Sequence, residues 1–199
     1  AAFEARAGDA GRLAAGALDA GAALAADVVV EAVGSLPNVA WLEGNGLDLA
    51  DGVRCDGHLR VEGRPDVVAV GDVARFPNPR FDDVPRRVEH WSIPTDTARR
   101  AAATLVAHQA GRPLPADPFA PLPTFWSDQL DLRIQGFGAF ALGDRRAVLD
   151  GTLDDLAAGV AVGAYAGERL VGVVTVGMPP ARALQYRRLI SDVAVDVAA

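Results

Sequence analysis

The chain has 199 residues, half of them hydrophobic and 23% charged, with a formal net charge of −7. That length accommodates one domain and part of another, and the hydrophobic share excludes a disordered chain. The lack of a long uncharged apolar run argues against a membrane span, and 26 acids against 19 bases argue against a nucleic-acid partner, whose phosphates need clustered cations.

The expectation is a soluble globular chain. All of its basic residues are arginine, and it begins at Ala1 rather than Met, which reads as a piece whose natural N-terminus lies upstream. Ala1 to Arg6 shows none of the charged, apolar and small-residue sections of a signal peptide, so the expected compartment is the cytoplasm. Cys55 is the single cysteine; it makes no internal disulfide, redox dithiol or four-cysteine zinc site, and is read as an inert thiol.

Along the chain, Gly8, Gly11, Gly16 and Gly21 break Ala1 to Leu24 into short apolar stretches that suit hairpin-like strands, with an Ala-rich helix as the competing reading. Ala26 to Val30 is a β-branched run closed by Gly34 and Pro37, and Val67 to Val70 is a second one stopped by Gly71 and Asp72. Both read as strands covered on two faces, as in a parallel sheet. Trp41 and Leu42, near Val39 and Leu47, read as core. Thr95 to Ala110 is helical, with Ala98, Ala101, Ala102 and Leu105 on its apolar face, Ser92 as cap, Pro94 in the first turn and Gly111 with Pro113 at the end. Five prolines between Pro113 and Pro123 make a linker or extended crossing. Beyond it, Leu132 to Phe137, Ala147 to Leu149, Val160 to Tyr165 and Leu170 to Val176 read as strands, the last pair joined by a tight turn at Ala166 to Arg169. A helix follows from Ala183 to Ile190.

Chemistry concentrates at Val70-Gly71-Asp72-Val73. A carboxylate just after a strand-terminal glycine lies at the carboxyl end of a sheet, where open α/β folds bind ligands, and Asp72 there can accept hydrogen bonds from sugar or ribityl hydroxyls. An ordinary turn with a local Asx bond is the alternative. Arg87-Val88-Glu89-His90-Trp91 then leads into the helix, whose N-terminal N–H groups suit the negative charge of a reduced flavin ring. His90 either touches cofactor or bonds backbone.

These residues, with Val28 to Asn38 and the string Phe125-Trp126-Ser127-Asp128-Gln129, resemble the C-terminal part of the FAD-dependent pyridine nucleotide:ferredoxin reductases, the putidaredoxin, rubredoxin and dioxygenase-system group. The resemblance runs from about Ala26 to about Ile190. It implies FAD as cofactor and NAD(P)H as co-substrate, with Asp72 at the ribityl chain between the cofactor-binding Gly71 and Val73, His90 and Trp91 at the flavin, Glu89 near the flavin or the nicotinamide, Gly34 on the nicotinamide side and Trp126 on the ferredoxin-facing side. Trp126 as a core anchor is the competing reading. Ala32 stands where the family has glycine, and neither of the family's Gly-x-Gly-x-x-Gly loops occurs.

The expected fold is α/β: a partial Rossmann-like parallel sheet that binds FAD and NAD(P), followed by a small α+β domain of antiparallel strands plus helix. Residues 1–38 are read as the tail of an NAD(P)H-binding domain, 39–123 as the closing segment of an FAD-binding domain with its proline-rich linker, and 124–199 as a C-terminal reductase, dimerisation-like domain. The implied function is electron transfer from NAD(P)H through FAD to a [2Fe–2S] ferredoxin or rubredoxin, with these 199 residues inactive alone and a homo-oligomer as one option for the assembly. Arg187 and Arg188 are a solvated helix face or a patch for an acidic ferredoxin. A disulfide reductase or NADH oxidase with its cysteine pair upstream, and a non-catalytic interaction module, are the rival readings.

Overall fold

The computed structural model describes residues 3–7, 13–18, 23–25, 28, 30 and 32–191, and these fall into two units divided between Leu36 and Pro37. In the first unit, β1 (Phe3–Ala7), β2 (Leu13–Leu18) and β3 (Ala23–Ala25) form an antiparallel meander in which Phe3 pairs with Leu18 and Ala15 with Ala25. This is the hairpin reading rather than the helix. Of the run expected as a buried strand, Ala26, Asp27 and Val29 lie outside the described residues; Val28 and Val30 are exposed and belong to no strand. A strand is buried on two faces only where neighbours flank it, and among the described residues none pairs with this run.

The second unit begins with two small sheets and a helix around one core. β4 (Val53–Arg54) lies parallel to β7 (Ala74–Asn78), which pairs antiparallel with β8 (Asp82–Arg86). β5 (Arg60–Val61) and β6 (Arg64–Val68) form a hairpin turned at Gly63, where φ is +74°. The run Val67 to Val70 is therefore the end of an antiparallel hairpin and not a doubly covered parallel strand: Val67 and Val70 are exposed and only Ala69 is buried. The glycine turn folds the run back on β5 before it can enter the sheet with β4. The chain continues through a 3-10 turn, Gly71–Val73, into β7.

α1 (Ile93–Gln109) packs on this core, with Ser92 at the cap position and a C-terminal end at Ala110 and Gly111, φ +61°. Its buried face is Ile93, Thr97, Ala101, Thr104 and Ala107; of the expected apolar positions only Ala101 is buried there. Two threonines can occupy it because their hydroxyls are satisfied. Thr104 Oγ1 donates to the His58 carbonyl at 2.9 Å, and Thr97 Oγ1 donates to the Ile93 carbonyl at 2.6 Å. Phe76 and Phe119 meet at 5.3 Å between ring centroids, which draws the proline-rich stretch onto the core with Leu59 and Ala74. Trp41 departs from expectation: it is exposed, its indole N–H donating to the Asn38 carbonyl at 3.1 Å, while Leu42 packs on the core. A one-turn 3-10 segment, Ala40–Leu42, has no second turn to bury both side chains.

The rest of the second unit is a five-stranded antiparallel sheet in the order β11-β12-β13-β10-β9, built from β9 (Thr124–Gln129), β10 (Leu132–Gly138), β11 (Arg145–Asp150), β12 (Val160–Ala166) and β13 (Arg169–Val176). α2 (Pro180–Ser191) covers one face through Ala183 and Ile190 against Phe137, Val173 and Met178. Asp150 pins it further, accepting from Tyr186 Oη at 2.7 Å and from Arg182. The two halves of this unit are joined by arginines. Arg80, at the β7–β8 turn, donates to the Ala120, Ile190 and Ser191 carbonyls, and Arg169 of β13 donates to the Arg80 and Phe81 carbonyls. The architecture is mixed α/β, a sheet containing a parallel pair followed by an antiparallel sheet with a helix. Among the described residues no helix is long and apolar enough to cross a membrane.

Candidate functional site

The turn after β6 is fixed from the helix. Gly71 is buried at φ +75°, and its N–H donates to Thr97 Oγ1 at 3.0 Å, so the start of α1 is buckled against the Gly71–Val73 turn. Asp72, at the crest, is exposed, and its carboxylate makes no hydrogen bond or ion pair with any described residue. The local Asx bond is thus absent. Val73 is half-buried and packs on the core.

Arg87 is the hub beside this turn. It is 11% exposed; Nε donates to Asp51 Oδ1 at 2.6 Å, and Nη1 donates to Glu89 Oε1 at 2.6 Å and to the Asp72 carbonyl at 3.1 Å. The Asp51 and Glu89 carboxylates hold its guanidinium more firmly in the charged state. The sequence alone gives Arg87 no role beyond charge ahead of the helix. Glu89 is two residues on, but Asp51 and Asp72 are 36 and 15 residues away along the chain, and no local spacing announces those two contacts.

His90 is half-buried with its ring tilted 58° on Phe125 at 5.6 Å, and Phe125 lies across its cross-strand partner Gly136. Burial lowers the imidazole pKa, favouring the neutral ring, and Nδ1 is buried without a partner, as is Ser92 Oγ. Glu89, His90, Arg87 and Phe125 line a cavity of about 640 Å³ whose walls are otherwise largely apolar, among them Phe76, Val88 and Phe140. Trp91 stands just before the helix, 83% exposed, and the backbone N–H groups of Trp91, Ser92 and Thr95 have no partner among the described residues. Trp126 is half-exposed on the edge strand β9, which removes the fully buried core-anchor reading. Gly34 belongs to the first unit, at φ +106°, with no described residue within 4 Å of where a Cβ would stand.

The structure therefore brings together Gly71, Asp72, Val73, Glu89 and the α1 N-terminus, and sets His90 against the C-terminal sheet. Cys55 stays outside this group: it is buried, its thiol donates to the Val53 carbonyl, and burial pushes its pKa up to about 11. An unpaired carboxylate on a glycine turn, beside unpaired N–H groups at a helix start and two buried polar atoms without partners, fits one end of a flavin: acceptor for ribityl hydroxyls, donors for the pyrimidine oxygens.

Residues 2–109 match the pyridine nucleotide-disulphide oxidoreductase family, and residues 124–199 match the reductase C-terminal family. The chain belongs to the pyridine nucleotide-disulphide oxidoreductase family. It is 36% identical over 123 residues to the anthranilate 1,2-dioxygenase system ferredoxin–NAD(+) reductase component of Burkholderia cepacia, covering 62% of this chain and 28% of that protein. It is likewise 36% identical over 118 residues to monodehydroascorbate reductase of Pisum sativum, covering 59% and 26%. Among solved structures, a ferredoxin reductase from Rhodopseudomonas palustris superposes with a TM-score of 0.79 at 30% identity, over 97% of this chain and 45% of that one. The chain spans less than half the length of these relatives.

Proposed function

We propose that the chain is the C-terminal portion of an FAD-dependent NAD(P)H:ferredoxin oxidoreductase, acting in the cytoplasm on a [2Fe–2S] ferredoxin or rubredoxin. The observation that carries this reading is the free Asp72 carboxylate on a turn buckled to the start of α1, in a family whose relatives include a ferredoxin–NAD(+) reductase. FAD, when bound, accepts a hydride and releases single electrons, chemistry that side chains do not supply.

In this reading Asp72 accepts hydrogen bonds from ribityl hydroxyls while Gly71, which lacks a Cβ, and Val73 let the chain pass close to the backbone. The N–H groups at the start of α1 stabilise negative charge on the pyrimidine side, and Trp91 covers the ring. His90 and the wall formed by Phe125 exclude water, and Glu89 lies near the flavin or the nicotinamide. Gly34 serves the nicotinamide side, and Trp126 offers an aromatic surface to the acceptor. By the same reading residues 1–38 end a nicotinamide domain, 39–123 close a flavin domain and 124–199 form the reductase C-terminal domain. The buried Cys55, with its raised pKa, disfavours dithiol chemistry by this chain's own residues.

The test is NAD(P)H-dependent cytochrome c reduction by the natural gene product with and without a [2Fe–2S] ferredoxin. Strong dependence on ferredoxin is expected; rates indifferent to it, with monodehydroascorbate reduced instead, refute the acceptor assignment. Asp72→Ala is expected to lower flavin occupancy about tenfold or more, the loss of a hydrogen bond to a charged group, and full occupancy would identify the wrong carboxylate.

A further inference from the structure

We infer that Arg87 is a positioning residue that sets the flavin-facing turn, holding Asp72 by its backbone so that its carboxylate stays unpaired. The inference rests on the reading that Asp72 faces the ribityl chain.

Three strands of geometry carry it. First, the contacts of Arg87 reach three separate backbone segments: the Asp51–Gly52 turn, the Gly71–Val73 turn through the Asp72 carbonyl, and Glu89 ahead of α1. Second, the guanidinium charge is already shared between Asp51 and Glu89, so the arginine grips Asp72 at its carbonyl and leaves its carboxylate alone. Third, the approach is close enough to demand glycine. A Cβ at Gly52, where φ is +82°, would stand 2.4 Å from the Val73 carbonyl oxygen and 2.6 Å from Arg87 Cδ. The Asp51–Gly52 turn, the Asp72 turn and the arginine stem are thus packed as one piece. Only a planar fork serves such a clamp. Nε and Nη1 point at different segments, whereas a lysine ammonium is a single point able to reach one of them.

The carboxylate so presented is pre-organised. A three-residue turn with an exposed acid would otherwise sample several orientations, and a ligand would have to order it on binding. Thr97 fixes the Gly71 end of the turn and Arg87 the Asp72 end.

The experiment compares wild type with Arg87→Met, Arg87→Lys and Asp51→Ala by hydrogen–deuterium exchange without flavin, and by flavin retention in the natural gene product. Arg87→Met is expected to speed exchange at the Gly71–Ala74 amides about tenfold or more, with β9–β13 unchanged. Arg87→Lys keeps the charge and loses the fork; it is expected to resemble Met rather than wild type, both in exchange and in flavin release. Asp51→Ala, which alters an exposed acid and preserves the core if the Met variant does not fold, is expected to give a smaller acceleration of about threefold as the Nε anchor is lost. Exchange at the turn equal to wild type in the variants that fold, or full rescue by lysine, overturns the clamp. A wild-type gene product without flavin overturns the functional reading instead, and the exchange comparison, which needs no flavin, still decides the role of Arg87.

Discussion

Within the second unit, the segment ending in α1 and the sheet that follows it are organised on different length scales. In the sheet, neighbours in space are mostly neighbours in sequence: β9 pairs with β10, β11 with β12 and β12 with β13, and only β10 with β13 spans a longer excursion. In the preceding segment the decisive contacts are long-range and polar. Gly71 is held by Thr97, His58 by Thr104, and Asp72 by Arg87. A ladder of apolar strands tolerates change at many points because each contact resembles the next. A site assembled from single hydrogen bonds between distant turns does not, and in exchange it presents a carboxylate and free N–H groups at defined positions.

The contrast can be broken most directly at Phe76. Truncation to Ala removes a ring that is 1% exposed and its partner contact with Phe119; it is expected to cost about 3–5 kcal/mol in urea unfolding. A loss below about 1 kcal/mol would mean that the segment has no packed core of its own. Next comes Thr97→Val, which preserves shape and leaves the Gly71 N–H without its acceptor. About 1–3 kcal/mol is expected, together with faster flavin release. If both quantities stay at wild-type values, the turn is held by something other than the threonine.

For the sheet, the sharper probe is acid. The Tyr186 hydroxyl and Arg182 hold the Asp150 carboxyl below its ordinary 3.8. A depressed folded-state value means that the contribution is complete above 3.8 and fades as pH falls through the lower folded value. Thermal unfolding between about pH 5 and about pH 2.5 is therefore expected to fall less steeply in Asp150→Asn than in wild type, and parallel curves would deny Asp150 a part in fixing α2. Smallest is the thiol. Cys55, with its pKa near 11, is expected to stay unmodified by a disulfide reagent at about pH 8 until the chain unfolds. Rapid labelling of the native protein would place the β4 end of the sheet in water.

What could be read from the sequence divides along the same line. β10 to β13, the turn at Gly167, α2 and the extent of α1 were legible because apolar runs, turn glycines and caps are local. The two-residue strand β4 was not, since Val53 and Arg54 give no periodicity, and their parallel partner is some twenty residues on. The buried face of α1 is not legible in the sequence, because threonine counts as polar until its hydroxyl has found a carbonyl. Asp72 and Glu89 were visible as residues; the arginine that joins them gained meaning only when three turns met around it.

The exchange of arginines between Arg80 and Arg169 bears on how the two regions stay together. Arg80 donates to the Ile190 and Ser191 carbonyls and Arg169 to the Arg80 and Phe81 carbonyls, so these crossing hydrogen bonds end on backbone oxygens, with the Asp82 carboxylate adding a charge attraction to Arg169. Dissolved salt screens attraction between opposite charges but leaves such a charge–dipole contact largely intact. The junction should then hold its alignment at ionic strengths that loosen ion pairs between exposed side chains, so that raising salt separates loss of those surface pairs from loss of the protein's own form.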